Sequence, residues 1–180
     1  MEKSNRQVDT KNMLENITFT LLTHEKEFGK RSNTGQLVLE VLGSAAEQIR
    51  WDRANPPAGL VGDIAKGGVA LIFPGASDEP ASDFTGIEKF IIIDGTWMEA
   101  RKIYQRSPYL RDVRRFSLRT TEQSQYNLRK NQKKSGLCTA ECVIQVLRST
   151  GNISAAEQLQ EQFLAFIRPQ KTMRGEVQGH

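Results

Sequence analysis

Apolar residues along the chain fall into two patterns, short runs that predict β-strands and longer segments with helical spacing. Residues 17–23, 69–73 and 89–94 are short runs rich in β-branched and aromatic side chains, which favour strands. The run at 89–94 is apolar in its four central residues, as expected of a strand buried on both faces of a parallel sheet. Residues 114–118 predict one further short strand.

Four segments have the spacing of amphipathic helices. In residues 37–49 the apolar side chains recur every three or four positions, and Asn33 or Thr34 is the natural N-cap. Three more segments predict helices on the same grounds, namely residues 97–105, 137–147 and 155–167.

The order of these elements predicts the fold class. Pro56, Pro57 and Gly59 predict an extended connection, and the acidic residues 77–86 predict a surface loop. Strands that alternate with helices indicate an α/β fold, with a mostly parallel sheet in a single domain. The expected divisions are a flexible arm at residues 1–15, the domain at 16–170 and a flexible tail at 171–180.

Length and composition are those of one globular domain. The chain has 180 residues, of which 38% are hydrophobic and 26% are charged, close to the average of globular proteins. The longest apolar run has about five residues, far too short to span a membrane, and the N-terminal residues lack the apolar segment of a signal peptide. We therefore expect a soluble, cytoplasmic protein that has no membrane partner.

The positive charge of the chain is concentrated in residues 101–134. The net charge is +4 at pH 7, but this basic block holds eleven Lys or Arg residues and two acidic residues, so the rest of the chain is net acidic. A basic block on an acidic scaffold directs a positive field toward a polyanion, and nucleic acid is the partner that we favour. The alternative is a solvated basic face without a partner.

Asp94, Gly95, Thr96 and Trp97 join the predicted strand at 89–94 to the helix that follows it. Ligands of open α/β sheets bind outside the carboxyl ends of the strands, and a helix that begins near Thr96 presents N–H groups there. Asp and Thr are also common helix caps. The spacing alone therefore supports a functional carboxylate and a simple cap equally.

A second loop that leads into a helix, residues 135–141, has the same two interpretations. Thr139 is a candidate cap, and Glu141 falls in the first turn, where the helix dipole favours an acid, so capping is the interpretation that we favour. Cys138 and Cys142 are too few for a zinc site, and a disulfide between them would be strained in a helix. Neither of the two histidines is near them in sequence, which argues against a cysteine–histidine enzyme.

Two phosphate-binding motifs, the glycine-rich P-loop and G-x-G-x-x-G, are absent from the sequence. Gly67 and Gly68 are not followed by a helical pattern and predict a turn. Trp51 and Tyr126 lie among basic residues, where a ring can stack on a base, although a half-buried packing role is more common for such rings.

The tetrapeptide from Asp94 to Trp97 has the Asp-x-Thr-Trp signature of the DTW-domain family, which the chain resembles over about residues 17–147. A lone signature would be weak, but several motifs agree in order. One departure is that no cysteine precedes Cys138, whereas many bacterial members carry a cysteine-rich N-terminal segment. The further motifs are Asn33-Thr34-Gly35, Trp51-x-Arg53, Pro56-Pro57, Leu71-Ile72-Phe73-Pro74, Glu99-Ala100-Arg101-Lys102, Ser107-Pro108-Tyr109-Leu110, Ser124-x-Tyr126-x-x-Arg129 and Leu137-Cys138-Thr139-x-Glu141.

This resemblance implies a tRNA-uridine aminocarboxypropyltransferase with a SPOUT-like fold that contains a trefoil knot. Such enzymes move the 3-amino-3-carboxypropyl group of S-adenosylmethionine to N3 of a uridine in tRNA and release methylthioadenosine. Asp94 is then the catalytic candidate, either as a general base at N3 or as an electrostatic stabiliser. No metal is expected, because a sulfonium leaves readily without one. The alternatives are a SPOUT-type RNA methyltransferase with the same cofactor and a non-catalytic RNA-binding module.

The resemblance and the basic block together predict two sets of binding residues. The cofactor set is Thr34, Leu71, Phe73, Pro74, Thr96, Trp97, Leu118, Leu137, Cys138 and Thr139, acting largely through backbone groups. The RNA-binding set is Arg101, Lys102, Arg114, Arg115, Tyr126, Arg129, Lys130, Lys133 and Lys134.

Overall fold

Parallel strands form a single sheet in the part of the chain that the structure describes. The computed structural model describes residues 14, 16–73, 79–80, 83–118 and 137–175, with the backbone alone at 79–80 and 169–175. Its strands are β1 (Thr18–Thr23), β2 (Ala46–Arg50), β3 (Val69–Ile72), β4 (Glu79–Pro80), β5 (Lys89–Asp94) and β6 (Arg114–Ser117). They pair in the order β2-β1-β5-β3-β6-β4, and each neighbouring pair is parallel. The predicted α/β fold with one parallel sheet is confirmed.

Helices cover both faces of this sheet. On one face α1 (Gly35–Leu42) and α4 (Thr139–Ser149) lie with α5 (Ile153–Gly175) packed against them, and on the other face lie α2 (Ala58–Lys66) and α3 (Trp97–Gln105). Each face of the sheet therefore has its own apolar core.

The apolar run in β5 is explained by these two cores. Phe90 and Ile92 pack in the core beneath α1, α4 and α5, whereas Ile91 and Ile93 pack in the core beneath α2 and α3. All four side chains are at most 8% exposed. Burial of one such side chain stabilises a fold by about 1.5–3 kcal/mol, so β5 anchors both layers of helices.

The neighbouring strands β1 and β5 send their following helices to opposite faces of the sheet. β1 leads into α1 and then to β2, whereas β5 leads into α3 and then to β6 on the other side. The two strands pair in register, with Thr23 beside Asp94 at their carboxyl ends. This is the topological switch point at which open α/β sheets form a ligand crevice.

The prediction of a helix over residues 37–49 is wrong for the residues beyond Leu42. Gly43 has a φ of +53°, a value that residues other than glycine rarely adopt, and α1 ends there. Residues 46–50 form the edge strand β2 instead. The position of Ile49 fits helical spacing and an edge strand equally well, and pairing with β1 favours the strand.

The extended connection predicted around Gly59 is also wrong, because α2 begins at Ala58. Pro57 is the N-cap residue in an extended conformation, so the proline stands just outside the helix and does not interrupt it. Leu60 and Ile64 lie one turn apart and pack in the core beneath α2 and α3.

Most other predicted elements are confirmed, with small shifts of their ends. The runs at 17–23, 69–73, 89–94 and 114–118 are β1, β3, β5 and β6, and the segments at 97–105, 137–147 and 155–167 are α3, α4 and α5. The loop predicted at 77–86 contains the two-residue strand β4 at the sheet edge.

The finer details of the implied fold stay predictions. Residues 119–136, between β6 and α4, lie outside the described residues, and the trefoil knot is not tested. α5 continues to Gly175, past the predicted end of the domain at residue 170. Among the helices that the structure describes, none has the length and apolar character needed to span a lipid bilayer.

Candidate active site

Asp94 lies at the switch point, at the carboxyl end of β5, and is 0% exposed. Its Oδ2 accepts hydrogen bonds from Thr23 Oγ1 at 3.1 Å and from Asn33 Nδ2 at 2.9 Å. Its Oδ1 accepts a hydrogen bond from Thr139 Oγ1 at 2.9 Å. We call these four residues the buried carboxylate cluster. It joins the ends of β1 and β5 to the beginning of α4.

Asn33 holds the loop before α1 against this cluster. Its Nδ2 also donates to the backbone carbonyl of Glu27 at 3.0 Å, and its Oδ1 accepts the Gly35 N–H at 2.7 Å. A Cβ at position 35 would lie 2.8 Å from Asn33 Oδ1 and 3.0 Å from Asp94 Oδ2. Glycine is therefore required here for space, since the loop approaches the carboxylate so closely.

Thr96 is the N-cap of α3, so the capping role considered for this junction belongs to Thr96. Its Oγ1 accepts the Glu99 N–H at 3.3 Å, and its own N–H donates to Glu99 Oε2 at 2.8 Å, which forms a capping box. Burial opposes ionisation of Glu99, but the hydrogen bond from the Thr96 N–H and the nearby positive charge of Lys30 hold its pKa below the ordinary value. Glu99 is therefore ionised at neutral pH.

The beginning of α4 differs from the prediction, in which Thr139 was the candidate cap. Cys138 occupies the N-cap position, with its N–H donated to Glu141 Oε1 at 3.2 Å, and the Thr139 hydroxyl donates into the buried carboxylate cluster instead. Glu141 lies in the first turn, as predicted. Thr34 Oγ1 accepts the Ala140 N–H at 3.2 Å, which ties α4 to the loop before α1.

Both cysteines are reduced and lie in or against the core beneath α1, α4 and α5. Burial raises the pKa of Cys138 well above its ordinary value and raises the pKa of Cys142 to about 12. A thiol that stays protonated at neutral pH is a poor nucleophile. These thiols are packing residues, in agreement with the argument against a cysteine–histidine enzyme.

His24 directly follows β1 and lies beside this junction. Its backbone N–H donates to the Asp94 carbonyl at 3.0 Å, and its Nδ1 lies 3.9 Å from Glu99 Oε1. The imidazole stacks on Trp51, with 6.1 Å between the ring centroids, and Trp51 Nε1 donates to Ser107 Oγ at 2.9 Å. Trp51 therefore has a packing role, the alternative favoured from its sequence context.

Aromatic rings line the base of α3. Phe73 stacks on Trp97 at 5.7 Å and on Tyr104 at 4.7 Å between centroids. Trp97 keeps part of its surface exposed, and the next residue, Met98, is 71% exposed. The first turn of α3 thus presents apolar surface to solvent at the carboxyl edge of the sheet.

The predicted cofactor residues divide into two groups by exposure. Partly exposed side chains can contact a ligand directly, whereas buried ones can do so only through backbone groups. Those partly exposed are Thr96, Trp97, Leu118 and Leu137; those buried are Thr34, Leu71, Phe73, Cys138 and Thr139; Pro74 lies outside the described residues.

The predicted RNA-binding residues that the structure describes lie in two places, on α3 and at the beginning of β6. Arg101 and Lys102 are exposed on α3. Arg114 and Arg115 begin β6, nearer the amino-terminal edge of the sheet than the buried carboxylate cluster. Arg115 Nη1 also donates to Tyr104 Oη at 2.9 Å. The other predicted residues, Tyr126, Arg129, Lys130, Lys133 and Lys134, lie outside the part of the chain that is described.

Sequence reasoning missed Thr23, His24 and Glu99 as site residues. The signal was a polar residue at the end of an apolar strand: Thr23 ends β1 as Asp94 ends β5, and in parallel strands these ends share one edge. Glu99 follows Thr96 by three residues, the spacing of a capping box. Across the described ranges, no group of three His, Cys, Asp or Glu side chains is placed to hold a metal ion.

Comparison with known proteins agrees with the motifs. A family model described as DTW domain matches residues 6–171. The tRNA-uridine aminocarboxypropyltransferase 2 of Macaca fascicularis is 32% identical over 82 residues, which are 43% of this chain and 28% of that protein. The aligned region thus spans less than a third of the relative's length. No solved structure matches the chain.

Proposed function

Because the chain belongs to the DTW-domain family, we propose that it transfers the 3-amino-3-carboxypropyl group of S-adenosylmethionine to N3 of a uridine in tRNA, releasing methylthioadenosine. One observation carries the proposal beyond the family match. The signature tetrapeptide begins at the last residue of strand β5, at the switch point, where α/β sheets bind their ligands. We propose the cytoplasm as the compartment in which the enzyme acts.

The chemistry of the carboxyl edge fits S-adenosylmethionine. When bound, this cofactor supplies an electrophilic Cγ next to a sulfonium that leaves as a neutral thioether. Trp97, Leu118 and Leu137 offer partly exposed apolar surface of the kind that a purine and a methylthio group require. The buried Thr34 and Thr139 fix the beginning of α4, next to Leu137, through hydrogen bonds to Ala140 and Asp94.

Asp94 is proposed to act electrostatically. Its carboxylate has no exposed surface and already accepts three side-chain hydrogen bonds, which supports a fixed negative charge more than a base that must touch the N3 proton. A fixed anion beside the crevice favours a bound sulfonium cation. The same bonds position the beginning of α4 and the loop before α1.

The RNA is proposed to bind along the basic block. Arg101 and Lys102 are exposed on α3, which begins at the signature tetrapeptide, so phosphates on either side of an unstacked uridine can reach them. Tyr126, Arg129 and the lysines at 130, 133 and 134 complete the proposed surface.

Product analysis tests the proposed function directly. Purified protein is incubated with S-adenosylmethionine and bulk tRNA, and the nucleosides and the released cofactor product are identified by mass spectrometry. Aminocarboxypropyluridine together with methylthioadenosine supports the proposal. Adenosylhomocysteine with a methylated uridine would replace it with the methyltransferase, and tRNA binding with neither product would replace it with an RNA-binding module.

Asp94→Asn is the test variant for this assay, and Gly59→Ala is its control. Asp94→Asn keeps the shape of the side chain and removes its charge, so transfer is expected to fall by about a hundredfold or more. Gly59 lies in α2, and a Cβ there would meet no atom within 4 Å, so Gly59→Ala is expected to leave transfer unchanged.

A further inference from the structure

His24 is a nearly buried, titratable side chain at the switch point that neither the motifs nor the proposed function uses. The residue is 8% exposed and directly follows Thr23, the partner of Asp94 in the β1–β5 ladder. A Cβ at position 95 would lie 3.6 Å from His24 Cβ, which places the histidine against the signature tetrapeptide.

Its hydrogen bonds fix which nitrogen carries the proton. Nδ1 accepts the Lys26 N–H at 3.2 Å, so in the neutral imidazole the proton lies on Nε2. Nε2 makes no hydrogen bond to an acceptor among the described residues, and a tenth of the side-chain surface is exposed. His24 is therefore a fixed hydrogen-bond donor whose Nε2–H is open to solvent or to a ligand.

The surroundings of the ring hold it in this orientation. Trp51 stacks against one face and is itself fixed by its hydrogen bond to Ser107. The Lys26 N–H holds Nδ1 from the first turn after β1. A donor held in place before its partner arrives loses little entropy when it binds, which is the arrangement found where a carbonyl oxygen is recognised.

We propose that the Nε2–H of His24 donates to O4 of the uracil ring, the carbonyl oxygen beside N3 that cytosine lacks, and that this bond selects uridine over cytidine. The inference rests on the proposed function. Uracil has a carbonyl oxygen at C4, whereas cytosine has an amino group there, which would meet the Nε2–H donor to donor; the oxygen at C2 is common to both bases. When the N3 proton passes to solvent water, negative charge spreads onto O4, so the same bond strengthens as the nucleophile forms.

Two substitutions separate this role from the structural role of the imidazole. His24→Asn keeps an oxygen that accepts the Lys26 N–H, since Asn is a favoured N-cap, but it has no group at the Nε2 position. His24→Gln places its amide NH₂ near the Nε2 position. We expect kcat/KM for transfer to fall about a hundredfold in the Asn variant, with an unchanged thermal midpoint, and to recover to within about tenfold of the wild type in the Gln variant.

Substrate substitution shows whether the donor contacts a uracil oxygen. Sulfur is a poorer hydrogen-bond acceptor than oxygen, so 4-thiouridine at the target position is expected to slow the wild type by a larger factor than it slows the Asn variant. 2-Thiouridine is the control, because its sulfur replaces the oxygen that uracil and cytosine share, and it is expected to slow both proteins by the same factor; a coupling at position 2 and not at position 4 would overturn the proposal. Equal effects of both thio substitutions in the wild type and the Asn variant would overturn the proposal.

A binding measurement decides the question even if no transfer product is found. The chain has two histidines, so His24 Nε2–H is readily assigned in a nitrogen-15 NMR spectrum by comparison with the His24→Asn variant. Uridine 5′-monophosphate is expected to shift this signal, and cytidine 5′-monophosphate is expected to leave it in place. A proton found on Nδ1, or the same response to both nucleotides, would overturn the proposal. Absence of product with a uridine-selective shift would overturn only the proposed transfer.

Discussion

A carboxylate without solvent exposure is stable in a protein only where donors replace its lost hydration. Asp94 receives these donors from Thr23, Asn33 and Thr139, which are 71, 61 and 45 residues away in the sequence. Such a cluster exists only when β1, the loop before α1 and α4 have reached their final positions. Its integrity is therefore a property of the whole fold, although it is centred on one residue.

Removal of this carboxylate is expected to destabilise the protein as well as to impair transfer. Asp94→Ala leaves the buried donors of Asn33 and Thr139 without this acceptor, whereas the Thr23 hydroxyl keeps the Leu21 carbonyl at 3.4 Å. Each unsatisfied donor costs about 1–3 kcal/mol, so the free energy of unfolding should fall by at least about 2 kcal/mol. Urea unfolding measures this. Thr139→Val, which removes one donor, should cost less than Asp94→Ala, and Thr139→Ser, which keeps the hydroxyl, less again. Wild-type stability in Asp94→Ala would contradict the cluster.

Gly35 provides a test of the close approach between the α1 loop and the carboxylate. In Gly35→Ala the new methyl group would lie 2.8 Å from Asn33 Oδ1 and 3.0 Å from Asp94 Oδ2, so one of these bonds must shift. We expect lower stability and reduced transfer. Gly59→Ala is the matched control, because its Cβ is unobstructed in α2 and the change should stabilise by up to about 1 kcal/mol. Stabilisation by both substitutions would show that the loop is not tightly packed.

At the scale of elements, α3 depends on its capping box for a defined beginning beside the crevice. Thr96→Ala removes the acceptor of the Glu99 N–H and is expected to cost about 1 kcal/mol of stability, whereas Thr96→Ser keeps the hydroxyl and should cost less. Thermal unfolding of the two variants measures the difference. Equal stability of Ala and Ser at this position would mean that the cap contributes nothing.

Helix α4 makes the protein sensitive to alkaline pH. Burial raises the pKa of Cys142 from an ordinary 9.0 to about 12 and raises the pKa of Cys138 in the same direction. Above pH 9 the unfolded chain loses these protons before the folded chain does, so the stability they contribute is complete below about pH 9 and is lost toward pH 12.

Urea unfolding at pH 8.0 and pH 10.5 checks this expectation. The wild type should lose more stability between these two pH values than the double variant Cys138→Ala/Cys142→Ala, because the variant has no thiol to ionise. Other groups that titrate in this range, such as Tyr109, affect both proteins equally. The same loss in both proteins would show that the cysteines do not cause it.

The elements that could be predicted from the sequence are those whose hydrophobic pattern has one interpretation. The four central residues of β5 are apolar because both of its faces are buried, and Thr96 and Trp97 mark the beginning of α3, so both elements were predicted with the ends that the structure has. β2 was mistaken for helix because an edge strand with one half-buried face carries few apolar residues, and its pairing with β1 is invisible in its own sequence. The α2 segment carries two opposing signals: Pro57 and Gly59 favour an extended connection, whereas the one-turn spacing of Leu60 and Ile64 favours a helix, and burial of these two side chains favours the helix.

At the scale of the whole molecule, the candidate site is assembled by the sheet, which is why only part of it could be predicted. Asp94 was identified because it ends a clear strand, and the family motifs named Asn33 and Thr139 without showing that they bond to it. Those bonds depend on the parallel pairing of β1 with β5 and on the position of α4, which no local pattern fixes. The placement of His24 beside Glu99 follows from the same pairing.

Charge is the other property of the whole molecule that bears on function, since the basic block contrasts with a net acidic remainder. If the block binds tRNA phosphates, the double variant Arg101→Ser/Lys102→Ser should bind tRNA more weakly. The plot of log affinity against log salt concentration should also become shallower, by about 1.4–1.8 in slope, because each of the two lost phosphate contacts contributes about 0.7–0.9. Arg148→Ser/Arg168→Ser removes the same charge from exposed residues on α4 and α5, on the opposite face of the sheet, and should leave the slope unchanged. Titrations at several salt concentrations give both slopes. An equal decrease in the two double variants would mean that tRNA senses net charge alone, and no decrease in the first would remove α3 from the RNA-binding surface.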